Sequence, residues 1–372
     1  MNRSASVPVR KGRGAVGNTE GRFETRRIEP ADYGWDAGGE EDSPPRLPTT
    51  VTPEKTRTIL SRNDSPDIPF DRSINPYKGC EHGCVYCFAR PTHSYLGLSP
   101  GLDFETKIFS KPDAARLLRE ELRRPGYRCE VIALGANTDP YQPAERDLSI
   151  TRGILEVLWE HRHPVGIVTK SSLVLRDLDL IAPMAGQNLA AVFLSITTLD
   201  RGLARTMEPR AAAPHRRLET IRALSEAGVP VGVLASPMIP GLNDQELERI
   251  LEAAAAAGAR TAGYILLRLP HEVKEIFAEW LETHYPLKAA HVLSLVRQTH
   301  GGKLYESEFG TRMKGRGPYA ELLERRFATA CRRLGLTRRG GSPLDVSQFR
   351  LPPRPGDQPG LFDRHPTRSS GA

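Results

Sequence analysis

Three closely spaced cysteines are the residues of this sequence best suited to chemistry. Cys80, Cys84 and Cys87 follow the spacing C-x₃-C-x₂-C. A compact loop with this spacing can direct three thiolates towards one point, and thiolates are ligands for soft metal centres such as an iron–sulfur cluster or zinc. A 4Fe–4S cube contains four irons, so three protein ligands would leave one iron open to a further ligand.

Two other uses of the cysteines have to be weighed. A structural zinc ion usually has four protein ligands, and His82 or His93 could supply the fourth. Disulfides fit less well, because five cysteines in 372 residues without a leader peptide indicate a reducing compartment. Cys129 and Cys331 lie in apolar or helical surroundings, where we expect inert packing cysteines.

The chain after the cysteine loop alternates between short apolar strands and amphipathic helices. One helix is expected to begin with a capping box formed by Asn243 and Glu246. We predict strands over 104–109, 130–134, 165–169, 190–195, 230–234 and 263–267, and helices over 112–124, 150–159, 173–184, 218–228, 243–258 and 272–283.

This alternation indicates an α/β fold, because strands joined through helices form right-handed βαβ units and a parallel sheet. About six repeats fall between residues 74 and 284, too few to close an eight-stranded barrel. We therefore predict a partial (β/α)₆ TIM-like barrel. Chemistry in such barrels takes place at the C-terminal ends of the strands, and the cysteine loop follows the first strand.

Composition divides the chain into four regions. The barrel is expected over residues 61–286, followed by a helical basic extension over 287–337. Residues 1–60 and 338–372 contain too few apolar side chains to offset the entropy of ordering, so we expect two largely disordered basic tails. No apolar stretch is long enough to span a bilayer, and no apolar segment follows the N-terminal basic residues. We expect a soluble, cytoplasmic protein that does not enter a membrane.

The formal charge of +7 is compatible with nucleic-acid binding, and the C-terminal extension concentrates it. Tyr319 and Phe327 stand among these charges. Such a stretch could follow phosphates and stack on bases, or it could be a solvated helix face. Its basic residues are Arg312, Lys314, Arg316, Arg325, Arg326, Arg332, Arg333, Arg338 and Arg339.

The cysteine loop, with Tyr86 just before its last cysteine, closely resembles the signature of radical S-adenosylmethionine (SAM) enzymes. The resemblance implies a partial barrel and a 4Fe–4S cluster whose open iron chelates the amino and carboxylate groups of SAM. It also implies an external reductant such as flavodoxin or ferredoxin. In this superfamily the reduced cluster cleaves SAM to a 5′-deoxyadenosyl radical, which abstracts a hydrogen atom from the substrate.

The resemblance further implies that SAM is held by Tyr86 and by residues after the other strands. The turn after the second strand would receive the SAM amino group, and the ends of the later strands would bind ribose, carboxylate and adenine. The residues so assigned are Asn137, Thr138 and Asp139 for the amino group, Ser195 and Thr197 for ribose or carboxylate, Arg210 for the carboxylate and Ile239 for adenine.

Residues 55–335 are most similar to an uncharacterised bacterial group related to spore photoproduct lyase, a DNA repair family. The stretches 71–105 and 137–145 carry this resemblance. One departure matters, because Ala136 stands where the lyase has its hydrogen-donating cysteine. The thiyl relay of the lyase is therefore not expected here. Tyr86, Tyr127 and Tyr141 could carry a radical, or they could be buried structural tyrosines.

The C-terminal tail contains a second motif that points to DNA. Gln358, Leu361 and Phe362 resemble a short peptide that docks into the bacterial sliding clamp through its glutamine and two apolar side chains. Because only three positions match, the alternative is that this tail is a plain linker.

Three hypotheses follow from the sequence. The first is a radical SAM enzyme acting on nucleic acid in the manner of a DNA repair lyase. The second retains this chemistry but modifies RNA or a protein. The third is a non-catalytic, zinc-containing module that associates with DNA or the clamp.

Overall fold

In the computed structural model, residues 10–24, 47–338 and 344–353 are described. The sequence motif at Gln358, Leu361 and Phe362 lies outside these residues and stays a prediction. The strands are β1 Thr50–Pro53, β2 Leu60–Arg62, β3 Arg72–Ile74, β4 Tyr77–Lys78, β5 Lys107–Ser110, β6 Ile132–Leu134, β7 Val165–Thr169, β8 Ala190–Ser195, β9 Val231–Met238, β10 Thr261–Leu266 and β11 Thr337–Arg338.

Helices follow most of the strands, and short 3₁₀ turns connect several of them. The α-helices are α1 Leu102–Thr106, α2 Ala114–Leu122, α3 Glu145–Leu148, α4 Ile150–Glu160, α5 Leu178–Gly186, α6 Arg201–Met207, α7 Pro214–Glu226, α8 Leu247–Ala256, α9 Val273–His284, α10 Pro286–Thr299 and α11 Pro318–Leu334.

The main sheet has eight strands in the order β11-β10-β9-β8-β7-β6-β3-β2. From β3 to β10 the six neighbouring strands are parallel, and β2 pairs antiparallel with β3 at one edge. β11 adds a further parallel strand to β10 at the other edge. Because the sheet ends in two separate edge strands and does not close, the predicted partial barrel is confirmed.

The core lies between this sheet and the helices around it. Ile167, Val192 and Val233 of neighbouring strands are fully buried. Ile154 and Leu158 of α4 belong to the same apolar cluster, as expected from residues four apart on one helix face. The strands are covered on both faces, which explains why their sequences are short continuous runs of apolar residues.

Two predicted elements differ in the structure. The sequence predicts one strand over 104–109, but α1 ends at Thr106, and β5 follows it in a separate three-stranded sheet with β1 and β4. It predicts one helix over 173–184, but a 3₁₀ segment over Ser172–Asp177 precedes α5. In both cases a buried acidic residue, Glu105 or Asp177, forms contacts with distant arginines that local sequence does not reveal.

The predicted capping box is also wrong. Asn243 uses its side chain to accept from the Ile239 amide at 2.6 Å and to donate to the Thr197 carbonyl at 2.7 Å. Glu246 accepts from the Leu199 amide at 2.6 Å. These polar side chains therefore join the loops after two strands, and they do not cap α8.

Part of the N-terminal region for which the sequence predicts disorder is packed. Residues 10–24, here called the N-terminal strap, run across the cysteine loop with Ala15 and Val16 almost fully buried. The amides of Gly14 and Ala15 donate to the Glu105 carboxylate at 3.0 and 2.8 Å. Residues 47–60 also include β1, which pairs with β5.

Residues 344–353 pack at the opposite end of the barrel, beside the loops that lead into β7 and β8. The Arg350 amide donates to the His161 carbonyl at 2.9 Å, and Phe349 lies against Tyr127 and His163. This part of the predicted C-terminal tail is therefore ordered as well.

Candidate cofactor site at the mouth of the barrel

The cysteine loop lies between β4 and α1, at the C-terminal ends of the parallel strands. Cys80, Cys84 and Cys87 line one cavity of about 460 Å³. The Cys80 amide donates to the Phe104 carbonyl at 2.9 Å, and the Cys87 amide donates to the Cys84 carbonyl at 3.2 Å. The structure thus brings together the three cysteines that the sequence singled out, at the edge of the sheet where it placed them.

A buried arginine fixes the shape of this loop. The Arg90 guanidinium is fully buried and donates to the carbonyls of Gly83 and Cys84 at 3.2 and 2.9 Å. It also forms an ion pair with the buried Glu105 at 2.5 Å. Since the carbonyls of the loop are held by the protein, its backbone has a defined course that does not depend on a bound group.

Cys80 and Cys84 are buried and Cys87 is half-buried, and burial governs the ionisation of the three thiols. It raises the pKa of Cys84 to about 12, although the neighbouring Lys170 opposes the rise. Burial raises the pKa of Cys80 and Cys87 as well. Such thiols are protonated at neutral pH when free, and binding a metal exchanges their protons for the ion. Three thiols that line one cavity are a donor set that fits an iron–sulfur cluster.

Tyr86 presents its ring to the cavity, while its hydroxyl is bound within the protein. The hydroxyl donates to Glu208 and lies 3.1 Å from the Thr197 hydroxyl. Glu208 is buried and forms an ion pair with the buried Arg217. Burial alone would raise the pKa of Glu208, but Arg217 and Lys170 lower it to about 2. Tyr86 is therefore a fixed wall of the site.

The turn after β6 is shaped by Gly135 and Asn75. Gly135 has φ +86°, and a Cβ there would lie 2.5 Å from the Val168 carbonyl, so glycine is required. The Asn75 side chain accepts from the Asn137 amide at 2.9 Å. As a result the Asn137 side chain lines the cavity.

Asp139 lines the same cavity but is already engaged by several donors. Its carboxylate accepts from the Thr169 hydroxyl and the Lys170 amide, both at 2.7 Å, and lies 3.3 Å from His82 Nδ1. Burial alone would raise its pKa, but His82 and these hydrogen bonds lower it to about 2. Asp139 therefore orients His82 and the loop after β7. Its carboxylate oxygens already accept these hydrogen bonds and have little remaining capacity to bind an ammonium group.

Of the residues assigned to SAM, four line the cavity: Tyr86, Asn137, Asp139 and Ser195. The remaining four are engaged elsewhere. Thr138 donates to the Tyr77 carbonyl at 2.8 Å, and Thr197 donates to Glu208 at 2.7 Å.

Arg210 and Ile239 also lie away from the cavity wall. Arg210 forms an ion pair with Glu81 at 3.0 Å and donates to Thr49 at 3.2 Å. Ile239 is fully buried in the apolar cluster behind the cysteine loop, together with Val85. Pairing of Arg210 with the SAM carboxylate and packing of Ile239 on adenine are therefore not supported by the geometry.

Lys170 and Ser236 are among the cavity-lining residues that the sequence assignment missed. Lys170, at the end of β7, lies with its Nζ 5.8 Å from the centroid of the Tyr86 ring. Burial alone would lower its pKa, but Cys84 and Glu208 raise it, which places a cation beside the cysteine loop. Ser236, at the end of β9, has a buried hydroxyl without a hydrogen-bond partner among the described residues. The available signal in the sequence was that Lys170 directly follows the strand predicted over 165–169 and that Ser236 lies two residues after the strand predicted over 230–234.

The residues considered for a radical relay lie elsewhere or are occupied. Tyr141 is fully buried and donates to Asp177 at 3.1 Å, and Tyr127 contacts His163 at 2.7 Å near the opposite end of the barrel. Both are structural, as the alternative interpretation expects. Ala136, at the position of the lyase's cysteine, lines the cavity.

The basic stretch of the C-terminal extension is largely neutralised. Five of its eight described basic residues pair with carboxylates, including Arg326 with Glu248 at 2.6 Å. Phe327 is buried, and Tyr319 donates to Asp244 at 2.6 Å. This agrees with a solvated helix face, and the aromatic side chains are not placed to stack on bases.

The described residues do not meet the requirements of a single metal ion or of a membrane-spanning helix. Within the described ranges, no three His, Cys, Asp or Glu side chains are arranged to hold a single metal ion. His93, one candidate fourth zinc ligand, contacts the Lys107 carbonyl at 2.9 Å and packs edge-on against Phe104. No described helix has the length and apolar character needed to cross a bilayer.

Comparison with known proteins agrees with this geometry. A family model described as the Radical SAM superfamily matches residues 74–254. An uncharacterized protein of Mycobacterium tuberculosis is 40% identical over 233 residues, which cover 62% of this chain and 68% of that protein. The chain belongs to the radical SAM superfamily. An uncharacterized protein of Methanocaldococcus jannaschii is 29% identical over 213 residues, or 57% of this chain and 76% of that protein.

The radical SAM fold of this chain is similar to solved structures of spore photoproduct lyase. The lyase complexed with dinucleoside spore photoproduct gives a TM-score of 0.55 at 17% identity, covering 77% of this chain and 80% of that chain. A mutant of the lyase with bound AdoMet and the same dinucleoside gives the same values. At this identity the likeness concerns the fold alone.

Proposed function

We propose that this protein is a radical SAM enzyme that binds a 4Fe–4S cluster through Cys80, Cys84 and Cys87 and acts on nucleic acid. The observation that carries the proposal is that the three cysteines line one cavity at the C-terminal ends of the strands. When bound, the cluster and SAM supply a one-electron cleavage that yields methionine and a 5′-deoxyadenosyl radical able to take a hydrogen atom from a substrate.

The chain's own residues contribute binding and orientation. Lys170 supplies a cation beside Cys84 that suits the SAM carboxylate, which makes it a better candidate than Arg210. Asn137 and Ser195 offer side-chain oxygens at the ends of β6 and β8. The ring of Tyr86 forms a fixed wall because Glu208 holds its hydroxyl.

Nucleic acid is favoured as the substrate because the fold is shared with spore photoproduct lyase, which is solved with a dinucleoside lesion. The lyase's exact reaction is not transferred, since Ala136 replaces the hydrogen-donating cysteine. RNA or protein modification is the competing proposal within the same chemistry. Cytoplasmic location and an external reductant such as flavodoxin or ferredoxin belong to the proposal too.

Anaerobic reconstitution tests the cofactor. The wild-type protein should be brown, contain about four irons and about four sulfides per chain, and form 5′-deoxyadenosine from SAM when reduced. Replacing Cys80, Cys84 or Cys87 with alanine should abolish the colour and the product, whereas Cys129→Ala should retain both. Stoichiometric zinc without iron in well-folded protein would establish the binding-module alternative instead.

The substrate class is tested by deuterium transfer. Deuterated DNA, RNA and protein candidates are supplied to the reconstituted enzyme, and 5′-deoxyadenosine is analysed by mass spectrometry. Deuterium from DNA supports a repair-type enzyme, and deuterium from RNA or protein only would replace nucleic-acid repair with the competing modification.

A further inference from the structure

One wall of the cavity carries a cation that the proposed cofactors do not use. Arg268 follows β10 and lines the cavity, and its buried Nε has no hydrogen-bond partner among the described residues. No described carboxylate lies within ion-pair distance of it. Its neighbour in the cavity wall, Arg312, is satisfied by Asp67 and Ser65, both at 2.5 Å.

An unpaired guanidinium that is partly removed from water is costly, so it is expected to meet an anion in the functional complex. Phe88, immediately after Cys87 of the cysteine loop, lies beside the Arg268 guanidinium. The Arg268 Cζ atom is 5.3 Å from the centroid of the Phe88 ring, a cation–π distance that holds the guanidinium in place. Phe88 also lines the cavity, yet it is 44% exposed.

We infer that Arg268 and Phe88 form a nucleotide subsite, in which the guanidinium binds a phosphate of the substrate and the exposed ring stacks on a base. This inference rests on the proposed function and deepens it. Arginine binds phosphate through paired N–H donors, and an open aromatic face accepts any base. A nucleotide carries an anion and a planar ring at neighbouring positions, which matches this pair of side chains.

SAM is the other candidate anion, but its carboxylate has a nearer cation. Lys170 interacts electrostatically with Cys84 and Asp139, next to the cluster ligands. Arg268 instead interacts electrostatically with Asp67 and His300. The two cations therefore have different neighbours, and the single carboxylate of SAM is expected to bind Lys170, beside the cluster ligands.

The position of the subsite restricts the form of the substrate. Phe88 is adjacent in sequence to a proposed cluster ligand, so a base resting on it would be close to the reacting centre. A stacked base inside a duplex cannot reach such a cavity, and enzymes acting on bases must first remove them from the stack. We therefore expect single-stranded or unpaired nucleotides to bind more tightly than a perfect duplex.

Fluorescence anisotropy of the anaerobically reconstituted full-length protein tests this subsite. The probes are a short labelled single-stranded DNA, its RNA counterpart, the matching duplex and an acidic peptide of equal charge. Arg268→Gln should weaken binding of the single strand about tenfold and lower the salt slope by about 0.7, the value for one phosphate contact. Phe88→Leu should weaken it at least about fivefold.

Two further variants make the result interpretable. Arg222→Gln removes a charge from an exposed arginine of α7, outside the basic C-terminal stretch, and should bind like the wild type. Arg268→Lys keeps the charge but loses the paired donors, so its affinity should fall between those of the wild type and Arg268→Gln. Thermal melting of each variant verifies that it is folded. Comparing the affinities for the DNA and RNA probes shows whether the subsite prefers deoxyribonucleotides or ribonucleotides.

Several outcomes overturn the subsite. They are absence of oligonucleotide binding by the wild type, wild-type affinity in both Arg268→Gln and Phe88→Leu, a loss of SAM affinity alone, or dependence on Arg268 for the acidic peptide alone. Failure of the proposed function looks different, because the wild-type protein would then lack iron or fail to cleave SAM. If the protein cleaves SAM but binds nucleotides independently of both Arg268 and Phe88, only the subsite is refuted.

Discussion

Arg90 and Glu105 form a fully buried ion pair at 2.5 Å behind the cysteine loop. The pair joins three parts of the chain, because Arg90 binds carbonyls of the loop while Glu105 accepts from the strap amides of Gly14 and Ala15. Removing either member of a buried ion pair leaves the other charge buried without a partner, which is strongly destabilising. The cofactor site is therefore tied to residues for which the sequence predicts disorder.

The first prediction concerns this pair. Glu105→Gln leaves the Arg90 guanidinium buried without a counter-charge, and we expect a loss of about 3 kcal/mol or more in the free energy of unfolding. The variant should also retain less iron after reconstitution. Urea denaturation measures the first effect and iron analysis the second. Glu160→Gln, which breaks the exposed pair with Arg119, should change stability by less than about 1 kcal/mol.

The second prediction concerns the contact between the strap and the loop. A Cβ on Gly14 would collide with the Gly83 carbonyl oxygen, so Gly14→Ala must push the strap away from the cysteine loop. We expect a loss of about 1–3 kcal/mol and faster proteolysis near the N-terminus. A Cβ on Gly17 would have its nearest neighbour at 3.8 Å, so Gly17→Ala is the matched control. Equal proteolysis of the two variants would contradict this packing.

The parts of this protein that could be predicted are those encoded locally. The spacing of Cys80, Cys84 and Cys87 and the alternation of strands and helices predicted the barrel and the position of the cysteine loop at its mouth. Asn137 and Ser195, which the sequence assigned to SAM, line the same cavity because parallel strands bring their C-terminal ends to one edge of the sheet, and their contact with SAM stays a prediction.

The remainder depends on contacts between residues distant in sequence. Nothing local links the strap to Glu105, and a glycine-rich, charged segment looks the same whether or not it has a partner. Asn243 and Glu246 match a capping pattern, yet they join neighbouring loops. Arg210 has the charge needed to bind the SAM carboxylate, but its guanidinium forms an ion pair with Glu81.

The third prediction tests Lys170 as the partner of the SAM carboxylate. Lys170→Gln removes the cation beside Cys84, and because a hydrogen bond to a charged group contributes about 1.5–3 kcal/mol, the affinity for SAM should fall at least about tenfold. Iron content should stay at the wild-type level. The measurement is equilibrium binding of SAM to the reconstituted protein. Lys107→Gln, which changes an exposed lysine paired with Asp103, should bind SAM normally.

The fourth prediction concerns pH and the packed C-terminal segment at the other end of the barrel. His163 is fully buried, and burial lowers its pKa to about 4 from an ordinary value of 6.5. The groups around it are the Tyr127 hydroxyl, the Pro164 carbonyl, the Phe349 ring, His161 and Arg72. Between pH 6.5 and 4 the unfolded chain therefore binds a proton at this residue that the folded protein does not.

The contribution of neutral His163 is complete above pH 6.5 and is lost as the pH falls towards 4. Since each pKa unit corresponds to about 1.4 kcal/mol, the loss amounts to about 3 kcal/mol. His163→Gln cannot take up this proton, so its unfolding free energy should fall less steeply over the same range in urea denaturation. His215→Gln, at an exposed histidine of α7, should keep the wild-type slope. Identical slopes for all three proteins would show that His163 is not the group that senses pH.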